Sequence, residues 1–233
     1  MKELAVIIPI YNEEKTMETV VDSCILEMNT LNINYDIFLY NDGSTDNTFK
    51  VLEMLSNKYS NVFTINKENS GHGPTILEAY KSKSKEYNWI FQIDSDNEMP
   101  IEYFKKLWAE RDRYDFLIGK REGRTQQLPR KILSAASKIC ITLFYGRGAK
   151  DVNSPYRLMR SDRFRDLFNK MPSNTFVPNV IISGYVALKK IPFFEVSIPF
   201  TPRKFGVASI NLFNIINTAL KSFIQTILFR FYL

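Results

Sequence analysis

The sequence predicts an α/β protein built on a doubly wound parallel sheet. Over the first 120 residues, short apolar runs rich in β-branched residues alternate with segments whose apolar residues recur every three or four positions. This is the pattern of buried strands and amphipathic helices. No linker, repeat or low-complexity tract divides the 233 residues, and a chain of this length can bury the core of one large domain.

Five strands alternate with four helices in this region. The strands are "LAVIIPI", "YDIFLY", "NVFTI", "WIFQI" and "DFLIG". The first helix has one apolar face, made of Met17, Val20, Val21, Cys24, Ile25 and Met28. The next three helices are "TDNTFKVLEMLSNKY", "GPTILEAYKSKSKEY" and "PIEYFKKLWAERDRY". We expect Thr45 or Asp46 to cap the second helix and Pro100 to open the fourth.

Polar or glycine-rich sequence follows every predicted strand. In chain order the segments are "PIYNEE", "NDGSTDNT", "NKENSGHG", "DSDNE" and "GKREGR". Since ligands of such sheets bind beyond the carboxyl ends of the strands, these segments predict one continuous cleft. Neither G-x-G-x-x-G nor G-x-x-x-x-G-K-[ST] is present, which argues against a dinucleotide dehydrogenase and a P-loop nucleotidase. His72, the sole histidine, is either a phosphate donor or simply the first residue of a helix.

Asp94 and Asp96 stand two residues apart after the fourth strand. Carboxylates so placed lie on the same side of an extended chain and repel each other unless a metal ion, an arginine or a shared proton lies between them. Mg²⁺ or Mn²⁺ suits this arrangement, because such ions bind one or two carboxylates plus substrate phosphates, and Glu98 could complete the set. The alternative is an acidic loop in which Asp96 or Asn97 caps the following helix.

The net charge of +6 is unevenly distributed. Residues 119–165 contain twelve Lys or Arg and three acidic residues, so the rest of the chain carries a net charge of −3. A basic segment implies an anionic partner such as a nucleotide diphosphate or a phospholipid surface. Nucleic acid is not an expected partner, since no reading motif or aromatic-interleaved basic face is evident.

Cysteine and histidine usage is sparse. Cys24 and Cys140 lie in apolar helical patterns and are expected to be reduced core residues of a cytosolic protein. Two distant cysteines and one histidine are too few for a zinc site. The first strand begins almost at once, so no signal peptide is expected.

Three motifs, "VIIPIYNEE", "NDGSTDNT" and "DSDNEMP", in this order and on these strands, resemble glycosyltransferase family 2. The resemblance implies a GT-A fold, with a Rossmann-like, mostly parallel sheet flanked by helices. It is strong over the first 120 residues and weaker up to "RKFGVAS". Within the family, "GHG", "DSDNE", "DVNSPYR" and "RKFGVAS" look most like the dolichyl- and polyprenyl-phosphate sugar synthases. Glu98 replaces their Gln, and the T-E-D-type sequence that supplies a base in many saccharide-directed members is absent.

The resemblance implies a metal-dependent, inverting transfer of a sugar from a nucleotide to a polyprenyl phosphate. Asp94 and Asp96, with Glu98, would hold Mg²⁺ or Mn²⁺, which stabilises the leaving diphosphate. The implied nucleotide-sugar contacts are Pro9, Tyr11, Glu13, Asp42, Gly71, His72, Asp94, Ser95, Arg121 and Arg203. Two alternatives stay open: a soluble member that glycosylates a saccharide or glycolipid hydroxyl, and a non-catalytic sugar-nucleotide-binding module.

Asp151 is the third candidate catalytic residue, in addition to Asp94 and Asp96. It would position or deprotonate the acceptor. The alternative is a structural ion pair with the neighbouring Lys150 or Arg157.

Residues 209–233 are predicted to form a C-terminal amphipathic helix after a GT-A domain of residues 1–208. The segment is long enough to span a membrane, but polar residues recur along it every three or four positions, which is unusual for a span. A helix at the membrane interface, a helix that binds a membrane-protein partner and a helix folded back on the domain all fit. The expected location is the cytoplasm, peripheral on the cytoplasmic membrane face. A second apolar stretch, "ILSAASKICITLFYG", could rest on the same surface.

Overall fold

The computed structural model describes residues 2–123, 135, 138–139, 141–201 and 212–232, with the side chains of the last segment described from residue 221 onward. The strands are β1 (Lys2–Ile10), β2 (Tyr35–Asp42), β3 (Val62–Lys67), β4 (Tyr87–Gln92), β5 (Phe116–Glu122), β6 (Arg157–Arg160) and β7 (Phe193–Pro199). The helices are α1 (Met17–Thr30), α2 (Thr48–Lys58), α3 (His72–Lys83), α4 (Phe104–Ala109), α5 (Ser161–Lys170), α6 (Pro178–Leu188) and α7 (Leu212–Arg230). A short 3₁₀ helix, Ile101–Tyr103, leads into α4.

The seven strands form one sheet in the order β3-β2-β1-β4-β6-β5-β7. All neighbouring pairs are parallel except those of β6, which runs antiparallel to both β4 and β5. The mostly parallel sheet is therefore confirmed, with β6 as its antiparallel strand. The exception is a strand of four residues with arginine at both ends. Its sequence alone carries no strand signal, and it is held in place by its two neighbours.

Hydrophobic cores cover both faces of the sheet. Along β1, Leu4, Val6 and Ile8 point into the core that contains α1, α2 and α4. Ala5 and Ile7 point into the opposite core, with α3, α5 and α6. This alternation is the period of two that a strand imposes, so a strand buried on both faces reads as a continuous apolar run.

Several element boundaries differ from the prediction. The N-cap of α2 is Asn47, not Thr45 or Asp46, although Asp46 Oδ1 accepts a hydrogen bond from Thr48 N at 2.9 Å. The fourth helix ends at Ala109 and starts as a 3₁₀ turn after Pro100.

The last predicted polar segment, "GKREGR", is not a loop throughout. Strand β5 continues to Glu122, because Gly119 to Glu122 pair with Val196 to Pro199 of β7. Arg121 therefore lies within β5, paired with Ile198, and not beyond the end of the predicted strand.

The second half of α7 folds back on the domain. Phe229 is 5% exposed and belongs to the core that contains α3 and α6. Thr226 O accepts a hydrogen bond from the Tyr145 hydroxyl at 2.5 Å, and Arg230 Nε donates to Phe144 O at 2.9 Å. Phe144 and Tyr145, near the end of the second apolar stretch, thus contact the C-terminal helix. The domain boundary at residue 208 falls outside the described residues and stays a prediction.

The outer side of this helix is apolar and exposed. Leu228 in α7, and Phe231 and Tyr232 in the turn directly after it, are 56%, 78% and 75% exposed. None of the helices in the described ranges has both the length and the hydropathy that crossing a bilayer demands.

Candidate active site

The carboxyl ends of three adjacent parallel strands meet at one edge of the sheet. Ile10 at the end of β1 pairs with Asn41 of β2, and Ile7 pairs with Gln92 at the end of β4. The loops after these strands therefore adjoin one another. They carry most of the residues that the sequence singled out.

The loops after β1 and β2 are joined by hydrogen bonds. Asn12 adopts a left-handed conformation, with φ of 55°, and its Oδ1 accepts a hydrogen bond from Thr45 N at 2.8 Å. Asn side chains tolerate this conformation better than most. Glu13 N donates to Thr48 Oγ1 at 2.9 Å. The two loops thus form one rigid wall of the cleft.

The three predicted nucleoside contacts on this wall have different surroundings. Pro9 is buried within β1. Tyr11 is 39% exposed at the start of the loop. Glu13 is buried, and its Oε2 accepts a hydrogen bond from Thr16 Oγ1 at 3.1 Å. Tyr11 is thus the most accessible of the three to a ligand.

Asp42, at the end of β2, organises the turn between β3 and α3. Its Oδ1 accepts hydrogen bonds from Ser70 N at 2.9 Å and Lys67 Nζ at 3.0 Å, and its Oδ2 accepts one from Gly71 N at 2.8 Å. Burial acts to raise the pKa of this carboxyl, but these hydrogen bonds and the Lys67 charge outweigh burial and lower it. Gly71 has a φ of 90°, which few residues other than glycine adopt. Asp42 therefore shapes the turn that presents His72.

His72 and Asp94 face each other across the cleft. His72 Nε2 lies 3.2 Å from Asp94 Oδ1, and Gln92 Nε2 donates to the same oxygen at 3.2 Å. Burial acts to lower the pKa of His72, but the Asp94 charge outweighs it and raises the pKa. Burial likewise acts to raise the pKa of Asp94, but His72, Arg121 and Gln92 together lower it. Asp94 is therefore held as a carboxylate.

The remaining acids of the loop have local contacts. Asp96 Oδ1 accepts a hydrogen bond from Glu98 N at 3.1 Å, an Asx turn in the segment that leads to the 3₁₀ helix. Ser95 is buried between the two aspartates. Within the described ranges, no three His, Cys, Asp or Glu residues form a group that could hold a metal ion by themselves. The ligand set Asp94, Asp96 and Glu98 thus stays a prediction.

The chemistry of this donor set nevertheless fits a hard divalent cation. Asp94 and Asp96 offer only oxygen ligands, and Asp94 is kept ionised by its neighbours. Mg²⁺ is commonly bound through one or two carboxylates, with substrate phosphates completing the shell. A site of this kind needs no third protein ligand.

Arg121 and Asp151 form an ion pair at the same edge. Arg121 Nε donates to Asp151 Oδ2 at 2.7 Å, and Nη2 donates to Oδ1 at 2.8 Å. Burial acts to raise the pKa of Asp151, but the Arg121 hydrogen bonds and charge outweigh it and lower the pKa. The predicted alternative partners, Lys150 and Arg157, are therefore wrong: the described partner of Asp151 is Arg121.

Arg157 serves a structural purpose that its sequence context did not reveal. It is fully buried, and its guanidinium donates to the backbone oxygens of Ser154 and Asn179 at 2.9 and 3.0 Å. Burial lowers the pKa of Arg157 to about 10, which still leaves it charged at neutral pH. It therefore clamps the segment before β6 to the start of α6. Arg203 and Cys140 lie outside the described residues.

The family model described as "Glycosyl transferase family 2" matches residues 5–177. The chain belongs to glycosyl transferase family 2. The matched range begins within β1, includes the candidate site residues from Pro9 to Asp151, and ends just before α6. The recognition made from the motifs is thus confirmed.

Two curated family members are similar over most of the chain. The undecaprenyl-phosphate 4-deoxy-4-formamido-L-arabinose transferase of Proteus mirabilis (strain HI4320) is 26% identical over 220 residues, covering 93% of this chain and 65% of the relative. The protein of the same name from Photorhabdus laumondii is 25% identical, covering 93% and 66%. The chain thus spans just under two thirds of the length of these relatives.

The fold of this family 2 chain is shared with solved structures. Glucosyl-3-phosphoglycerate synthase from Mycobacterium tuberculosis, in complex with phosphoglyceric acid, superposes with a TM-score of 0.66 at 18% identity, covering 98% of this chain and 80% of the other. A complex of that enzyme with Mn²⁺, UDP-glucose and phosphoglyceric acid gives a TM-score of 0.68 at 16% identity, covering 98% and 79%. The GT-A fold predicted from the sequence is confirmed.

Proposed function

We propose that the protein is a metal-dependent, inverting glycosyltransferase that moves a sugar from a nucleotide to a polyprenyl phosphate. The observation that carries the proposal is that Arg121 and the Asp94 loop lie at the same carboxyl edge of a family 2 fold. Arg121 is close enough to Asp94 for its charge to lower the pKa of that carboxyl. An arginine can bind the oxygens of a diphosphate, and the neighbouring carboxylates can bind the metal ion that accompanies it.

The donor would lie along the wall formed by the loops after β1 and β2. Tyr11 is available to a nucleobase or ribose, while Asp42 holds the turn at Gly71 in place. His72 and Arg121 would contact the phosphates, and Arg203 is proposed as a further phosphate contact. Since Arg121 is pinned by Asp151, its guanidinium would be oriented before the substrate arrives, which lowers the ordering cost of binding.

Asp94 and Asp96 would hold Mg²⁺ or Mn²⁺, with Glu98 as a further candidate. When bound there, such an ion acts as a Lewis acid that stabilises the negative charge developing on the leaving diphosphate. Support comes from the solved relative that was crystallised with Mn²⁺ and UDP-glucose. His72, hydrogen-bonded to Asp94, adds a second positive charge at the same edge when it is protonated.

The acceptor proposal rests on the curated relatives, which are named as undecaprenyl-phosphate transferases. A phosphate monoester is already anionic at neutral pH and needs little help from a general base. An acceptor that needs no strong base is consistent with the state of Asp151. Its carboxylate is a weak base, because its pKa is lowered and it accepts hydrogen bonds from Arg121. We therefore assign Asp151 to positioning Arg121, not to deprotonating the acceptor.

The same acceptor class implies a place for the protein at a membrane surface. We propose peripheral attachment to the cytoplasmic face, through the exposed apolar side of α7 and neighbouring basic residues. Lys221 and Arg230 lie on this helix, and Arg147 follows Phe144 and Tyr145, which contact it. Apolar burial and attraction to lipid phosphates add in such binding. A membrane-protein partner on this surface is the alternative.

Calorimetry with a panel of nucleotide sugars, with Mn²⁺ and with EDTA, tests the donor. Transfer is then measured onto a short polyprenyl phosphate and onto the matched polyprenol, which differs only by lacking the phosphate. We expect metal-dependent binding of one donor and transfer to the phosphate alone. Transfer to the polyprenol or to saccharides would favour a hydroxyl-directed enzyme. Binding without transfer to any acceptor would favour a non-catalytic module.

A further inference from the structure

Gln92, the last residue of β4, is fully buried and uses both ends of its amide. Its Nε2 donates to Asp94 Oδ1 at 3.2 Å. Its Oε1 accepts hydrogen bonds from the Tyr80 hydroxyl and from Asn179 Nδ2, the latter at 2.9 Å. A buried amide is costly to leave unpaired, so a polar residue at this position in the core needs such partners.

The two donors at Oε1 fix the direction of the Gln92 amide. If the amide were flipped, its NH₂ group would face the NH₂ group of Asn179, and its oxygen would face the Asp94 carboxylate. Both contacts would bring like groups together. Tyr80 also lies within hydrogen-bond distance of Asn179, with its hydroxyl 3.0 Å from Oδ1. The buried group thus presents an N–H, not an oxygen, to Asp94.

Asn179 is anchored in turn by the buried Arg157. The guanidinium Nη1 donates to Asn179 O at 3.0 Å, and Nε donates to Ser154 O at 2.9 Å. Asn179 is 2% exposed and lies in the first turn of α6. A continuous path of hydrogen bonds and backbone therefore connects this clamp to the acidic loop.

The two oxygens of Asp94 are in different surroundings as a result. Gln92 Nε2 and His72 Nε2 both contact Oδ1. In the part of the chain that the structure describes, no hydrogen bond ends on Oδ2. Among the described residues, the contacts of this carboxylate thus converge on Oδ1.

We propose that Gln92, oriented by Tyr80 and Asn179, is a positioning residue that fixes the Asp94 carboxylate for a divalent cation. This inference rests on the proposed function, which assigns Asp94 to that cation. Gln92 itself contacts neither the cation nor the substrate. Partners that orient a ligand in this way typically change metal affinity by about 10–100-fold when they are replaced.

The test uses two variants and one matched control. Gln92→Met keeps a side chain of similar length but removes the N–H donor. Tyr80→Phe removes one of the donors that orient the amide. Tyr87→Phe is the control. It also deletes the hydroxyl of a buried tyrosine, but Tyr87 is bonded to Asp36 and lies at the opposite end of β4 from Gln92. A thermal melt first establishes which variants are folded.

Two quantities are then measured on each folded protein, without an affinity tag. The first is the imidazole NMR resonance of His72, which is unambiguous because the chain has one histidine. It reports the Asp94 carboxylate without any metal. The second is the affinity for Mn²⁺, measured by electron paramagnetic resonance with the nucleoside diphosphate that the wild type binds best among UDP, GDP, CDP and ADP.

We expect Gln92→Met to shift the His72 resonance and to weaken Mn²⁺ binding at least about tenfold. Tyr80→Phe should do both to a smaller degree, and Tyr87→Phe should do neither. Wild-type Mn²⁺ affinity in folded Gln92→Met overturns the proposal, and if that variant does not fold, wild-type affinity in Tyr80→Phe overturns it. If the wild type binds no Mn²⁺ with any nucleotide, the proposed function has failed. The His72 resonance then decides alone whether Gln92 positions Asp94.

Discussion

Arg121 and Asp151 form a bidentate ion pair with nitrogen–oxygen distances of 2.7 and 2.8 Å. Their side chains are 15% and 14% exposed, so little solvent screens the pair. It joins β5 to the segment before β6 across 30 residues of sequence. The pair thus holds a guanidinium beside the acidic loop without any contribution from a substrate.

Asp151→Asn should lower the free energy of unfolding by about 3 kcal/mol, because it removes the carboxylate that makes two hydrogen bonds to the buried Arg121 guanidinium. Asp115→Asn is the control. Asp115 Oδ1 also lies 2.7 Å from an arginine, Arg160 Nε, but both side chains are more than one third exposed. We expect that change to cost at most about 1 kcal/mol. Urea unfolding of both variants measures the difference, and equal losses would contradict the account.

The stabilisation from Asp151 should depend on pH in one direction. Its pKa is lowered in the folded protein, where Arg121 outweighs the effect of burial. The stabilisation is therefore complete above the unfolded pKa of about 3.9 and is lost as the pH falls through the folded pKa. The gap in unfolding free energy between wild type and Asp151→Asn should be large near neutral pH and should narrow below about pH 4. A gap that stays constant in urea titrations across this range would argue against the ion pair.

Cys24 should be unreactive in the folded protein. Burial raises the pKa of its thiol to about 12, and Glu27 and Glu102 act in the same direction. Since the thiolate is the reactive form, iodoacetamide should label Cys24 only as the protein unfolds. Peptide mass spectrometry across a urea series follows this labelling. Rapid labelling of Cys24 in native buffer would show that the α1 core is open.

Substitutions on the buried side of α7 should lower stability, whereas substitutions on its exposed side should weaken membrane binding. Phe229→Ala removes a buried ring and should cost about 3–5 kcal/mol of stability. It should leave liposome binding by the folded protein unchanged. Combined Leu228→Ser, Phe231→Ser and Tyr232→Ser changes, on the exposed side, should instead reduce binding to anionic liposomes with little change in melting temperature.

Sedimentation with liposomes and a thermal melt on both proteins test this separation. High salt should weaken, but not abolish, binding of the wild type, because apolar burial persists when charges are screened. If the exposed-side variant still sediments with liposomes like the wild type, the interface is elsewhere.

The sequence predicted the first five strands, the first four helices and the C-terminal helix, because their apolar residues repeat with the period of each element. It also placed Asp94 and Asp96 correctly at the end of a strand, since that placement is local. The Arg121–Asp151 pair was not predictable, because it depends on how β6 inserts between β4 and β5. The four residues of β6 have no strand signal of their own. Long-range pairing, not local preference, decides this part of the site.

Gln92 illustrates the same limit at the level of one side chain. In the sequence it is a polar interruption of the run "WIFQI" and gives no hint of its partners. Its contact with Asn179 spans 87 residues, and Asn179 is in turn placed by Arg157. A buried polar residue just before an acidic motif was nevertheless a signal, because such a residue needs hydrogen-bond partners.

The turnover of Asp96→Asn tests whether the Asp94 loop holds a metal ion for sugar transfer. Asp46→Asn is the matched control: Asp46 is also half-buried, and its Oδ1 accepts a hydrogen bond from the backbone N two residues on, as that of Asp96 does. With Mg²⁺ or Mn²⁺, a donor that the wild type uses and a short polyprenyl phosphate, we predict that Asp96→Asn loses at least about 100-fold in turnover, since several kcal/mol of charge stabilisation are removed. Asp46→Asn should stay within a few-fold of wild type. Near-normal turnover of folded Asp96→Asn would contradict the account.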